Sequence, residues 1–93
     1  MIILLYTISD FRNKQAVSVE TGTVLGFIGD LEIDTENGNV ANLVIYGKQK
    51  FFGALGREED ICIPWSSIEV IGEETVLVKG AFNYRNYKRK SLI

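Results

Sequence analysis

The chain has 93 residues, of which 46% are hydrophobic and 24% are charged; this predicts one small globular domain and excludes a disordered chain. It contains no histidine and one cysteine, which excludes histidine-dependent nucleophiles, the commonest metal ligand and an internal disulfide. The net charge of −2 combines −6 over residues 1–80 (twelve acids and six bases) with +4 over residues 81–93 (four bases and no acid). We therefore expect a non-enzymatic protein without a metal or other cofactor, with an acidic body and a basic tail.

The N-terminal segment predicts no targeting or membrane-spanning element. Its apolar run at residues 2–6 is too short for the apolar part of a signal peptide or for a membrane span, which favours a cytoplasmic protein. Ser9 and Asp10 are predicted to cap a short turn or helix that runs through Phe11 to Gln15.

Short runs rich in β-branched and aromatic residues, separated by turn residues, predict an all-β domain of five or six strands in a compact barrel or sandwich. Gly26 and Gly29 interrupt the second run, and glycine within a strand indicates a bulge or a tight bend. Asn37-Gly38 predicts a type I′ hairpin turn within residues 30–46. Pro64 is expected to end one strand and begin a single helical turn. The predicted strands cover residues 16–19, 24–34, 40–46, 61–63, 69–71 and 75–79.

Four segments in this order resemble the PRC-barrel domain, and more narrowly the small sporulation proteins of the YlmC/YmxH type. They are residues 22–30 (a turn followed by LGFIGD), the hairpin at 34–38, the glycine-rich loop at 52–56, and 63–78 (IPWSSIEVIGEETVLV). The resemblance implies a small six-stranded β-barrel over residues 1–80 with a short extension over residues 81–93, and no catalytic activity. In the wider family the barrel occurs in the ribosome maturation factor RimM and in the H subunit of the photosynthetic reaction centre. The resemblance therefore implies a protein-docking module with a role connected with sporulation.

The docking surface predicted from the residues lies in the loop 47–58 and at the only tryptophan. Phe51, Phe52 and Leu55 place apolar side chains in a glycine-rich loop, where exposure indicates a contact surface. Two alternatives stay open for the two phenylalanines: each ring is either exposed in the loop or folded over the end of the barrel. Trp65 is either an interface anchor or, as we favour, an apolar plug of the barrel end. The partner is an unidentified protein, and a second copy of the chain is an equal alternative.

The C-terminal tail supports a second hypothesis. Aromatic and basic side chains alternate there as they do on surfaces that bind single-stranded nucleic acid, which predicts an RNA- or ribosome-associated factor. A solvated tail, one more strand through Phe82 and Tyr84, and weak attachment to an anionic membrane are the alternatives. The candidate nucleic-acid-binding residues are Tyr84, Arg85, Tyr87, Lys88, Arg89 and Lys90.

The carboxylates and the cysteine are predicted to be structural. Asp30, Glu32 and Asp34 alternate along one strand, which is typical of a solvated face and only a weak indication of a cation site. The acidic run at residues 58–60 is expected to lie in water. Cys62, between two isoleucines, is expected to pack as a small apolar residue. An enzyme or metal-dependent hydrolase built on these carboxylates is therefore the least favoured hypothesis.

Overall fold

The computed structural model describes residues 5–49 and 54–86. Over these residues the chain forms one short α-helix, eight β-strands and a single 3₁₀ turn. Their bounds are α1 Ile8–Arg12, β1 Gln15–Ser18, β2 Val24–Phe27, β3 Asp30–Asp34, β4 Asn39–Ile45, β5 Asp60–Pro64, the 3₁₀ turn Trp65–Ser67, β6 Ile68–Ile71, β7 Thr75–Val78 and β8 Asn83–Arg85. Within these two ranges, no helix is long and apolar enough to cross a membrane.

The described strands form two four-stranded sheets rather than the expected six-stranded barrel. The first sheet has the order β2-β1-β7-β6 and the second the order β3-β4-β5-β8; all neighbours are antiparallel except β1 and β7, which are parallel. Two features raise the strand number above six. The predicted strand at residues 24–34 divides into β2 and β3, and Asn83–Arg85 adds β8 beside β5. The mainly β architecture is confirmed, whereas the strand number of six is wrong.

The division between β2 and β3 is the bend that the two glycines predicted. Ile28 and Gly29 lie between the strands, where the backbone leaves the first sheet and enters the second. The Ile28 amide still donates to the Lys14 carbonyl at 3.1 Å, whereas the Gly29 amide donates to the Val44 carbonyl at 2.7 Å. A Cβ at Gly29 would lie 2.5 Å from Cδ2 of Tyr46, so glycine is needed for the close approach of this ring.

Helix α1 begins one turn earlier than the sequence indicated. Thr7 is its N-cap: the Thr7 side chain accepts from the Asp10 amide at 3.3 Å, and the Asp10 carboxylate accepts from the Thr7 amide at 2.7 Å. This reciprocal pair is a capping box. Asp10 therefore contributes to the cap from inside the helix, and the prediction that Ser9 and Asp10 are themselves the cap is wrong.

The β3–β4 hairpin is confirmed, but its turn is longer than predicted. Four residues, 35–38, separate the strands, and the Gly38 amide donates to the Asp34 carbonyl at 2.8 Å. The Asp34 side chain also accepts from the Glu36 amide at 3.0 Å. A carboxylate that binds the turn backbone stabilises this four-residue geometry over a two-residue type I′ turn. Gly38 still supplies the positive φ, at +71°.

The core lies between the two sheets and is closed on one side by α1. Lys14, which follows the helix, is nearly as buried as the core itself: its Nζ donates to the carbonyls of Gly72 and Glu73, at 2.6 and 2.7 Å. The charged end of this side chain thereby ties α1 to the β6–β7 turn. The buried core cluster consists of Phe11, Ala16, Ile28, Leu43, Ile45, Ile63, Val76 and Val78.

Candidate functional site

A groove of about 670 Å³ lies between strand β2 and the adjoining ends of β4 and β5; we call it the β2 groove. One wall of the groove consists of β2 and the bend that follows it, residues 24–29. Its other wall is formed by residues 45–48, which leave β4, and by residues 58, 59 and 61, which lead into β5. The groove therefore follows the seam between the two sheets, where the chain passes from one to the other.

Three large apolar side chains of the β2 groove are accessible to solvent. Val24 is 55% exposed, Phe27 59% and Tyr46 49%, while Ile28 and Ile45 below them are buried. Isolated exposed apolar residues are normal on a protein surface, but several that line one concavity indicate a contact site.

Strand β2 is also an edge strand. It pairs with β1 through Gln15–Phe27, Ala16–Gly26 and Val17–Val24, and it is the outermost strand of its sheet among the described residues. An edge strand presents backbone amides and carbonyls that an extended peptide is able to bind. The β2 groove thus combines apolar side chains with an edge that suits a peptide backbone.

The second wall is held by hydrogen bonds around Tyr46 and Asp60. The Tyr46 hydroxyl donates to the Asp30 carboxylate at 2.7 Å, and this bond raises the pKa of the phenol above its usual 10.0. Asp60 Oδ1 accepts from the Gly47 amide at 2.7 Å and from Nη2 of Arg57 at 2.8 Å. The expectation that Asp60 lies in water is wrong, because it is buried with both donors.

The charge of the groove is set by residues on this second wall. Glu58 and Glu59 are exposed there, and among the described lining residues Lys48 is the only basic side chain, which gives these residues a net charge of −1. Two adjacent carboxylates favour a cationic segment at this end of the groove.

The three acids of β3 do not form a cation site. Asp30 accepts from Tyr46, Glu32 from Arg85, and Asp34 from its own turn. Within residues 5–49 and 54–86, no group of three or more acidic or cysteine side chains is arranged to hold a metal ion. The expected solvated face is thus a row of carboxylates in which each has its own hydrogen-bond donor.

Glu32 and Arg85 join the two edges of the second sheet. Nη2 of Arg85 lies 2.6 Å from Oε2 of Glu32, and Nη1 lies 3.1 Å from Oε1. This bidentate pair lowers the pKa of Glu32 below its usual 4.5. Cys62 on the neighbouring β5 is buried, as predicted, and burial raises the pKa of its thiol, which disfavours the nucleophilic thiolate form.

The two predicted docking residues in the described part of the chain, Leu55 and Trp65, lie on opposite sides of β5 in the sequence. Leu55 is exposed in the loop that precedes β5, whereas Trp65 follows β5 directly. The strand between them has five residues and spans roughly 16 Å. Phe51 and Phe52 lie outside the described residues. Neither Leu55 nor Trp65 lines the β2 groove.

Trp65 is a partly exposed residue at the edge of the core. Its ring meets Phe11 edge-on, with centroids 6.4 Å apart, and 41% of the residue is exposed. It lines a second, shallower groove of about 580 Å³ together with residues 38–41. The ring therefore covers Phe11 with one side and faces solvent with the other, so it combines features of both the predicted plug and the predicted anchor.

Only two of the candidate nucleic-acid-binding residues lie in the described part of the chain. Tyr84 and Arg85 belong to β8, as the alternative of one more strand anticipated. Tyr84 is exposed, while Arg85 is bound to Glu32 and thus has its charge matched within the protein. Tyr87, Lys88, Arg89 and Lys90 lie outside the described residues.

The sequence analysis missed Val24, Phe27 and Tyr46 as surface residues. All three fall within or directly beside predicted strands, and strand residues of this type are usually buried. The available signal was the pair Gly26 and Gly29: a strand that bends between two sheets exposes side chains at the bend.

Comparison with known proteins finds three related proteins and one domain family. The family model described as PRC-barrel domain matches residues 5–81. The chain is 40% identical over 73 residues to a protein named "Probable sporulation protein YlmC" from Bacillus subtilis strain 168, covering 78% of this chain and 90% of that protein. It is 36% identical over 75 residues to an uncharacterized protein of Clostridium acetobutylicum, covering 81% and 85%. It is 32% identical over 73 residues to the uncharacterized protein YmxH of Bacillus subtilis, covering 76% and 85%.

Proposed function

The chain belongs to the PRC-barrel domain family, and from this premise we propose that it is a non-enzymatic docking module that binds a protein partner in the β2 groove. One observation carries the proposal: exposed Val24, Phe27 and Tyr46 line a single concavity beside an edge strand. A partner would place apolar side chains between these residues and hydrogen-bond to the β2 backbone.

The setting of the proposal follows from the relatives. The name of the Bacillus subtilis relative connects that protein with sporulation, and we extend this role and a cytoplasmic location to the present chain as part of the proposal. The absence of a catalytic step is also part of it. The buried Cys62 thiol, whose pKa is raised, and the separately bonded carboxylates of β3 favour a scaffold over a reactive site.

Phe27→Asp tests the proposal because it places a charge in the middle of the apolar lining. Its matched control is Ile33→Asp, since Ile33 is 60% exposed against 59% for Phe27 and lines neither groove. Each tagged variant would be used for affinity capture from nuclease-treated lysate of the native host, with partners quantified by mass spectrometry. Loss of a captured protein in Phe27→Asp, together with retention in Ile33→Asp, is expected.

One further variant and one change of treatment separate the competing surfaces. Leu55→Asp tests the loop that the sequence favoured, and omission of nuclease tests the RNA alternative. If Phe27→Asp captures the same proteins as the unsubstituted chain, docking in the β2 groove is refuted. Capture that depends on Leu55, or that disappears with nuclease, would transfer the function to the loop or to the tail. Size-exclusion chromatography of the same samples identifies a second copy as the partner.

A further inference from the structure

We propose that the chain's own C-terminal segment, residues 87–93, binds in the β2 groove and competes there with the protein partner. This inference rests on the proposed function of the groove and adds an internal competitor to it. The segment itself lies outside the described residues; the end of the described chain, the charge of the groove and the sequence of the segment support its binding there.

The described chain ends beside the acidic wall of the groove. Strand β8 runs antiparallel to β5 with Arg85 opposite Asp60, so the next residue, Asn86, continues toward Glu59. Neighbouring strands lie about 5 Å apart. The Arg85–Glu32 pair holds β8 in this place. The described chain therefore ends in the direction of Glu58 and Glu59.

The charges of the segment complement those of the groove. Residues 88–90 are Lys, Arg and Lys, and the segment contains no acidic side chain. The groove offers Glu58 and Glu59 against Lys48, and the remainder of the body is also acidic. Attraction between a cationic segment and an acidic cleft favours the bound state.

The order of residues in the segment matches the order of surfaces in the groove. The three basic residues come first, where the chain leaves β8 beside the two glutamates. Leu92 and Ile93 come last, and seven extended residues reach roughly 23 Å. In the proposed arrangement the basic residues meet the two glutamates and the apolar end meets Val24 and Phe27 on the opposite wall, where β2 is the edge of its sheet among the described residues.

Attachment to the same chain makes even weak binding effective. A segment tethered directly beside its site has an effective concentration on the order of millimolar. A segment whose Kd lies below this concentration fills the groove until a partner with higher affinity displaces it. The partner affinity measured with the full chain is then lower than the affinity of the empty groove.

Hydrogen exchange of the β2 amides tests the proposal on the 93-residue chain. The variant reverses the tail charge at constant length: Lys88→Glu, Arg89→Glu and Lys90→Glu. We expect β2 amides to exchange about tenfold faster in this variant, because the competing segment no longer covers the edge. Exchange in the β6–β7 hairpin, which does not line the groove, serves as an internal control.

A charge swap provides the matched rescue. Adding Glu58→Lys and Glu59→Lys to the tail-reversed chain restores opposite charges, so β2 protection is expected to return. Glu36→Lys with Glu69→Lys is the control, because both carboxylates are exposed and neither lines the groove. Equal exchange of β2 in all variants, or rescue by the control pair, overturns the proposal. So does protection that is lost on roughly hundredfold dilution, since that result would place the segment in a second copy.

The outcome is distinguishable from failure of the docking function. Tail reversal is expected to increase partner capture, whereas Phe27→Asp is expected to abolish it. If β2 protection depends on the tail while Phe27→Asp leaves capture unchanged, the segment binds the groove but the partner does not. If capture depends on Phe27 while β2 protection ignores the tail, the groove is a docking site without an internal competitor.

Discussion

Replacement of Lys14 by methionine is expected to destabilise the domain more than any other lysine substitution among the described residues. Lys14 is only 5% exposed, and its Nζ donates to the Gly72 and Glu73 carbonyls at 2.6 and 2.7 Å. Nζ also lies 5.4 Å from the centre of the Tyr6 ring. Methionine retains most of the apolar volume but cannot donate to either carbonyl, so the substitution isolates the ammonium group.

The expected loss is about 2 kcal/mol in the free energy of unfolding. One hydrogen bond from a charged donor contributes about 1.5–3 kcal/mol, and Lys14 makes two. The sum is reduced by the cost of burying the ammonium, which methionine avoids. Water that reaches the turn carbonyls in the variant reduces it further. A net loss of about 2 kcal/mol lowers the melting temperature of a domain of this size by roughly 8–16 °C.

Urea unfolding followed by tryptophan fluorescence and circular dichroism measures this difference. Lys79→Met is the matched control, because Lys79 is exposed and makes its hydrogen bond to Ser67 through its backbone amide. The control is expected to change stability by less than about 0.5 kcal/mol. If Lys14→Met and Lys79→Met were equally stable, the claim that Lys14 fastens α1 to the β6–β7 turn would be refuted.

Two further substitutions test the geometry around the groove. Glu32→Gln removes the charge that Arg85 binds; because both side chains are partly exposed, we expect a loss of about 0.5–1 kcal/mol at neutral pH and low salt. The pKa of Glu32 is lowered in the fold, so ionised Glu32 contributes fully to the free energy of unfolding above pH 4.5. This contribution disappears as the pH falls through the lowered pKa. A difference in stability between Glu32→Gln and the unsubstituted chain that grows on acidification would contradict this assignment. Gly29→Ala places a Cβ 2.5 Å from Cδ2 of Tyr46, which is expected to displace the ring at a cost of about 1–3 kcal/mol. In that variant the pKa of Tyr46, raised by the bond to Asp30, is expected to fall toward 10.0, as measured by NMR titration; an unchanged value would show that the ring had not moved.

Three features of the fold that local sequence determines were predicted correctly, although the helix cap and the length of the hairpin turn were not. The β3–β4 hairpin follows from Asn37-Gly38, the 3₁₀ turn from Pro64, and the bend between sheets from Gly26 and Gly29. In each case one residue type has a backbone preference that few others share. The alternation of polar and apolar side chains along β3 does not bury Ile33. The register between β3 and β4 shifts between Glu32 and Ile33, and the shift leaves Ile33 exposed.

The features that sequence could not give depend on residues far apart in the chain. Lys14 binds carbonyls 58 and 59 residues away, and Arg85 binds Glu32 across 53 residues. No local pattern distinguishes such a lysine or arginine from a solvated one. The β2 groove has the same origin, since it exists only where the edge of one sheet meets the ends of two strands from the other.

The bend at Ile28 and Gly29 links the fold to the proposed function. Because the chain leaves the first sheet there, β2 has no strand on its outer side among the described residues, and Phe27 faces the seam instead of the core. The same bend brings Gly29 under the Tyr46 ring, which Asp30 then holds from the next residue. The apolar lining and the edge of the groove are thus fixed by one feature of the backbone. A preformed groove of this kind loses little conformational entropy on binding, so differences in affinity would arise mainly from what competes for it. The seven residues that follow Asn86 are the competitor that we propose, because their positive charge complements the acidic wall of the groove.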